Sequence, residues 1–264
     1  MTTIGKFICT LIMIASFAAC TKNELNISQA TLLDEAKAQT KIFFVSAYRT
    51  APTYQININD IRVSNTIAPG SNPTPFPGGG FNTGGSSTSD YIGVPAGLVK
   101  VSFATPKYNT STDSVTLATN TLTLSSGKKY SLYVTDTAAN TSFVLVEDTL
   151  VRSDSGYAKY KFVNLVPDKG AVDLYIGTVK VATNIAYKAV SPSFTLPTST
   201  TAAVWTIKAT GTTTSIGGGY STPSTTVASI VANQRIYTVI ARGYGSITSS
   251  SDPRYSKISL IINQ

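Results

Sequence analysis

The chain predicts an all-β fold, two antiparallel β-sandwich domains in tandem behind an export segment. Three observations predict it: short alternating strands separated by turn residues, a segment that recurs 118 positions later, and an apolar N-terminal run ending in a lone cysteine. At 264 residues there is length for two domains, each with a core of its own. Hydrophobic residues make up 42% and charged residues 13%, with Thr, Ser, Gly and Asn filling much of the rest, which suits a folded exported β-protein rather than a disordered chain.

The export segment comes first. Residues 7–19, FICTLIMIASFAA, are uncharged and follow Lys6, giving the charged start and apolar centre of a secretory signal at 1–19. A membrane-spanning helix needs about 20 apolar residues, and this run stops short. The four residues FAAC at 17–20 resemble the lipobox of bacterial lipoproteins, with Phe17 in the place usually held by leucine. That resemblance implies that Cys20 becomes an acylated N-terminus, and Thr21 behind it implies the outer membrane or surface of a Gram-negative bacterium. Two or three acyl chains hold a protein at a bilayer stably where one does not. Residues 20–40 then read as a polar tether without strand alternation, with a helical turn near Leu32 to Lys37 and a flexible span of about 25 Å.

The first β-domain is expected at 41–150 and the second at 157–264, divided near TLVRSDSGY at 149–157 and folding separately. Residues 45–68 lie on 163–186 without a gap, and apolar positions coincide: Ile56 with Leu174, Ile58 with Ile176, Ile61 with Val179, Val63 with Val181, Ile67 with Ile185. Such alternation turns one face of each strand to a core. Between the paired strands stand Asn59-Asp60 and Gly177-Thr178, both suited to a two-residue hairpin turn. Pro95 and Pro197 then fall between strands, Tyr130 aligns with Tyr237, and SFVLVEDTL and SKISLIINQ close the copies. Six or seven short strands in each copy make an antiparallel sandwich.

The succession VDLYIGTVKVATNIAY at 172–187, a proline turn and ANQRIYTVIARG at 232–243, with VPAG at 94–97 and SGKKYSLYV at 126–134 in the first copy, resembles the domain-of-unknown-function family numbered 4397. The first copy departs at YQIN, 54–57, where the family has Val-Asp, and the second at LPTST, 196–200. The resemblance covers nearly all of 41–264 as a tandem pair. It implies an extracytoplasmic immunoglobulin-like or transthyretin-like sandwich and no activity.

Chemistry is limited by what the chain lacks. With no histidine, the Ser-His-Asp and Cys-His nucleophile systems and imidazole-ligated zinc are excluded. The two cysteines, Cys9 and Cys20, leave no thiolate for a metal or disulfide in the body of the fold. No enzyme, cofactor or metal site is expected; Glu147-Asp148 reads as a linker boundary. The net charge of +8 is scattered, so nucleic acid is not an expected partner. PGGGFNTGG and SIGGGYSTP lack the Lys-Ser/Thr ending of a phosphate loop. The segments 69–89 and 210–226 read as long Gly-rich loops displaying Phe76, Phe81 and Tyr220, the candidate ligand-binding residues, while Trp205 alternates in phase with Ile207 and reads as core. The expected function is a lipid-anchored, non-catalytic binding module for a glycan or envelope protein; the alternative is a structural or adhesin-type component whose edge strands pair with another chain.

Overall fold

The computed structural model describes residues 37–44, 54–64, 66–67, 91–106, 113–136, 138–200, 204–221, 231–252 and 254–264. They are all-β apart from one short 3-10 turn, Ala138–Asn140. The first half contains β1 (Lys37–Phe44), β2 (Gln55–Ile58), β3 (Ile61–Arg62), β4 (Ile92–Pro95), β5 (Gly97–Pro106), β6 (Asp113–Leu124), β7 (Lys129–Thr135) and β8 (Ser142–Glu147). The second contains β9 (Tyr157–Leu165), β10 (Val172–Ile176), β11 (Val179–Ile185), β12 (Phe194–Pro197), β13 (Val204–Ala209), β14 (Ser215–Ser221), β15 (Ile236–Arg242) and β16 (Lys257–Ile262). Among the described residues each half thus shows eight strands where six or seven were expected. The strand β1 also starts at Lys37, inside the segment read as tether; residues 1–36, with the signal run and Cys20, lie outside the described residues.

In the first half two four-stranded sheets run β4-β1-β7-β8 and β3-β2-β5-β6. In the second the corresponding orders, β12-β9-β15-β16 and β11-β10-β13-β14, are joined into a single eight-stranded sheet where Gly218 of β14 meets Lys257 of β16. Neither half is purely antiparallel, as the alternation had suggested. The pairs β1–β7 and β9–β15 are parallel, because strands from opposite ends of each half meet at the sheet centre, where no hairpin joins them.

The hairpins form as their turn residues dictate. Asn59 and Asp60 both adopt positive φ, 49° and 63°, the requirement of a type I′ turn, whereas Gly177 alone is positive at 56°. Each turn is braced by the neighbouring strand: the Asn59 N–H donates to the Lys100 carbonyl at 2.8 Å, and Gly177 N–H to that of Val204 at 2.8 Å. Another device recurs before the parallel strands. The Tyr130 hydroxyl accepts from Ser125 N–H at 3.1 Å, and Tyr237 from Ala232 N–H at 3.3 Å.

Two cores follow. One gathers Tyr54, Ile56, Val101, Phe103, Leu132 and Val134, the other Tyr160, Phe162, Leu174, Trp205, Tyr237 and Leu260. Trp205 is buried, as its phase predicts, against Tyr160 and Phe194 at ring separations of 5.6 and 6.4 Å. Side chains of this size contribute about 1.5–3 kcal/mol each on burial, so each half has the means to hold its own strands.

A third apolar cluster lies between the halves. Along β7, Tyr130, Leu132 and Val134 face the first core, while Ser131, Tyr133 and Thr135 point the other way and are still buried. Tyr133, Val144 and Val146 meet Val163, Leu165, Ile240 and Ile261, and the Thr135 hydroxyl donates to the Leu165 carbonyl at 3.0 Å. Residues 36–264 are accordingly one compact unit.

Candidate functional site

Two places in the described residues concentrate unusual side chains. The first is polar and lies at the junction of the halves. Asp148, read as part of a linker, is buried one residue past β8. It pairs with Lys161 of β9 at 2.8 Å, and accepts from the Ser131 hydroxyl at 2.6 Å and the Tyr91 hydroxyl at 3.0 Å. Burial, and then the Asp148 charge, push the Tyr91 hydroxyl far above its ordinary range. Lys161 also donates to the Glu147 carbonyl at 2.9 Å. On the matching position of the second half stands Asn263, whose amide donates to the Thr238 hydroxyl at 2.8 Å, as Asp148 engages Ser131. A cavity of about 340 Å³ runs alongside, lined by Leu145, Lys159, Lys161, Val190, Ile236 and Asn263 among others. Its ammonium groups are engaged, Lys161 by Asp148 and Lys159 by the Val151 carbonyl at 3.0 Å. This arrangement clamps the halves together; charges held this way are spent on structure.

The second place is apolar and lies at the rim of the first half. The β2–β3 turn throws Ile61 and Val63 outward opposite β4, and a cleft of about 290 Å³ opens between Ile58, Ile61, Val63, Ile92, Val94 and Pro95. The residues that line it carry no titratable side chain. Ile61 is 68% exposed and Val63 38%, although alternation had placed both in the core. The cause is position in the sheet: β3 is the outermost strand and two residues long, so the inward face of Ile61, paired to buried Ile58, lies beyond the last strand that covers it. Lys100 braces the turn, with its ammonium 2.7 Å from Asp60 and its N–H 2.9 Å from Asn59 Oδ1. In the second half Val179 is 60% exposed, but the longer β11 carries on so that Val181 and Ala182 pack against the core.

Of the residues singled out from the sequence, Cys20, Phe76 and Phe81 lie outside the described residues. The backbone of Tyr220 sits in β14 opposite Trp205, so the loop read at 210–226 is shorter than expected; its side chain is outside what is described. The cleft went unread because exposure of Ile61 depends on which strand is outermost, which hydrophobic periodicity does not carry. Among the described residues no group of acidic side chains has metal-binding spacing, and no helix is long and apolar enough to cross a membrane.

Fold and cleft together define an all-β protein with a recurring strand order and an uncharged, apolar surface cleft. The family model for a domain of unknown function, DUF4397, matches residues 40–175, just over half of the chain, and the chain belongs to that family. No curated protein matches it in sequence. Among solved structures, a proposed cell adhesion protein from Parabacteroides distasonis is similar at 10% identity and a TM-score of 0.24, over 86% of this chain and 99% of that one. A likeness that slight transfers neither fold nor function.

Proposed function

We propose that this is a cell-envelope protein, lipid-anchored through Cys20, that acts as a non-catalytic binding module with two copies of one sandwich domain. The observation that carries the binding reading is the apolar cleft at Ile61, Val63, Val94 and Pro95. An aliphatic concavity without charge favours an apolar side chain of a protein partner over a bare sugar ring, which would stack on aromatics. In sequence, the segment bearing Phe76 and Phe81 leaves after Ile67 and returns at Tyr91, next to cleft-lining Ile92. The tandem reading rests on the recurring strand order, and the non-catalytic one on the absence of histidine and of any free acid–base pair at the cleft.

The test is capture of envelope components and glycans by the full chain, compared with I61D/V63D. Expected is loss of the captured partner with folding intact, since both side chains are largely outside the core, and little dependence on salt. Capture that survives the substitutions, or that salt abolishes, overturns the cleft reading. Mass spectrometry of membrane-extracted protein against C20S tests the anchor; a start at any other residue refutes it. A second reading, a structural component joined through edge strands, is favoured by the open edge of β6.

A further inference from the structure

The edge strands differ in how they are protected. β3 has two residues, while β4 and β12 have four each and end in Pro95 and Pro197. β11 carries Lys180 and irregular register against β10, and β8 ends under the Lys161 ammonium. Short length, proline, charge, bulges and cover are the usual defences of a sheet edge. β6 is protected only in part: it runs for twelve residues, Asp113–Leu124, and its register against β5 shifts at Leu117 and Ser114, but from Ala118 to Leu124 the pairing is regular and the strand holds neither charge nor proline. It ends its sheet, and among the described residues no strand pairs with its outer side. Its counterpart β14 is met by β16 at Gly218, so this fold accommodates a neighbour there.

The outer face of the edge can be read from the pairing. Lys100 of β5 directs its N–H and carbonyl to Asn59, on the β2 side. Its partner on β6, Thr121, therefore forms a pair without hydrogen bonds to β5 and turns its own N–H and carbonyl outward. By strand period Thr119 and Thr123 do the same. Among the described residues the Thr121 N–H is met, at 2.8 Å, by Oδ1 of adjacent Asn120, an exposed side chain.

Building on the structural-component reading, we propose that β6 is a self-association edge, on which two copies of this chain pair antiparallel about a two-fold axis to make one sheet of order β3-β2-β5-β6-β6-β5-β2-β3. A second copy is the occupant the strand fits. An isologous pairing must be self-complementary, and an uncharged strand brings no like charges together at the axis, while Thr119, Thr121 and Thr123 supply Thr–Thr cross-strand pairs. Asn120 is a guard that swings aside when the partner strand arrives.

Sedimentation velocity of the full chain in detergent over a concentration series tests this. Expected is a reversible dimer that T121P weakens at least tenfold. Proline at Thr121 removes only an outward N–H, so the β5–β6 ladder survives. T119K, which keeps every backbone donor, should weaken the dimer similarly should T121P fold poorly, and N120A should tighten it. A protein that stays monomeric throughout, including one that pairs only with a foreign strand, overturns the proposal. So does a dimer indifferent to T121P and T119K, the behaviour of association through the anchor.

Discussion

The two halves share a strand order and differ at one seam. In the second half β14 reaches β16 and joins the two sheets into one; in the first, β6 and β8 end separate sheets. The joining has a local cause in the run Gly217-Gly218-Gly219. Gly217 sits at φ 64°, where a Cβ would run into the Ser256 carbonyl, and Gly218 N–H donates to that carbonyl at 2.8 Å. The corresponding part of β6 is Thr-rich and makes no such approach. The difference teaches that one strand order gives one continuous sheet or two sheets with an open edge between them, depending on whether a strand can give up its side chains. In the proposed reading it is the first half, with its open edge and apolar cleft, that meets partners.

The largest effect is expected at the junction that holds the two together. Asp148→Ala leaves Lys161, whose side chain is 13% exposed, without its carboxylate, and should cost about 3–5 kcal/mol in chemical denaturation. A change under about 1 kcal/mol would mean that the halves stand independently, as the sequence had suggested. Next comes Gly217→Ala, expected to cost about 2–4 kcal/mol through positive φ and the Ser256 contact. Hydrogen exchange should then show β14 and β16 opening while β6 is unchanged; uniform loosening would contradict the local cause.

A smaller effect separates Asp173 from Gln55, its counterpart by the 118-residue shift. Asp173 is buried, which raises its pKa, but Lys180 at 2.6 Å, the Asn184 N–H at 2.8 Å and the hydroxyls of Thr210 and Thr183 outweigh burial and hold it down to about 2. A depressed carboxylate adds stability above its unfolded pKa, near 4, that is lost as pH falls toward about 2. With Lys180 half in solvent, about 1–2 kcal/mol is expected over that window, and D173N should remove that part of the acid loss. An unchanged acid profile would show that the carboxylate is not the group responsible.

These residues also show how far the sequence could be read. Local chemistry was legible: the turns at Asn59-Asp60 and Gly177-Thr178, the burial of Trp205, and the aligned tyrosines Tyr130 and Tyr237. Features set by distant strands were not. The run SIGGGYS reads as a loop because glycine is a poor strand former, and is a strand because β13 pairs along it on one side and Ser256 accepts from Gly218 on the other. Asp148 reads as a linker until Lys161 is brought beside it, and Ile61 reads as core because periodicity does not say which strand is last.

The most direct measurement compares the halves at matched positions in intact cells, with a photoreactive side chain placed at Ile61 in one strain and at Val179 in another. These residues align in the repeat and are similarly exposed, at 68% and 60%. If the first half carries recognition, irradiation yields a discrete heavier adduct from position 61 and none from position 179. Equal adducts from both, or an adduct from 179 alone, would contradict the account.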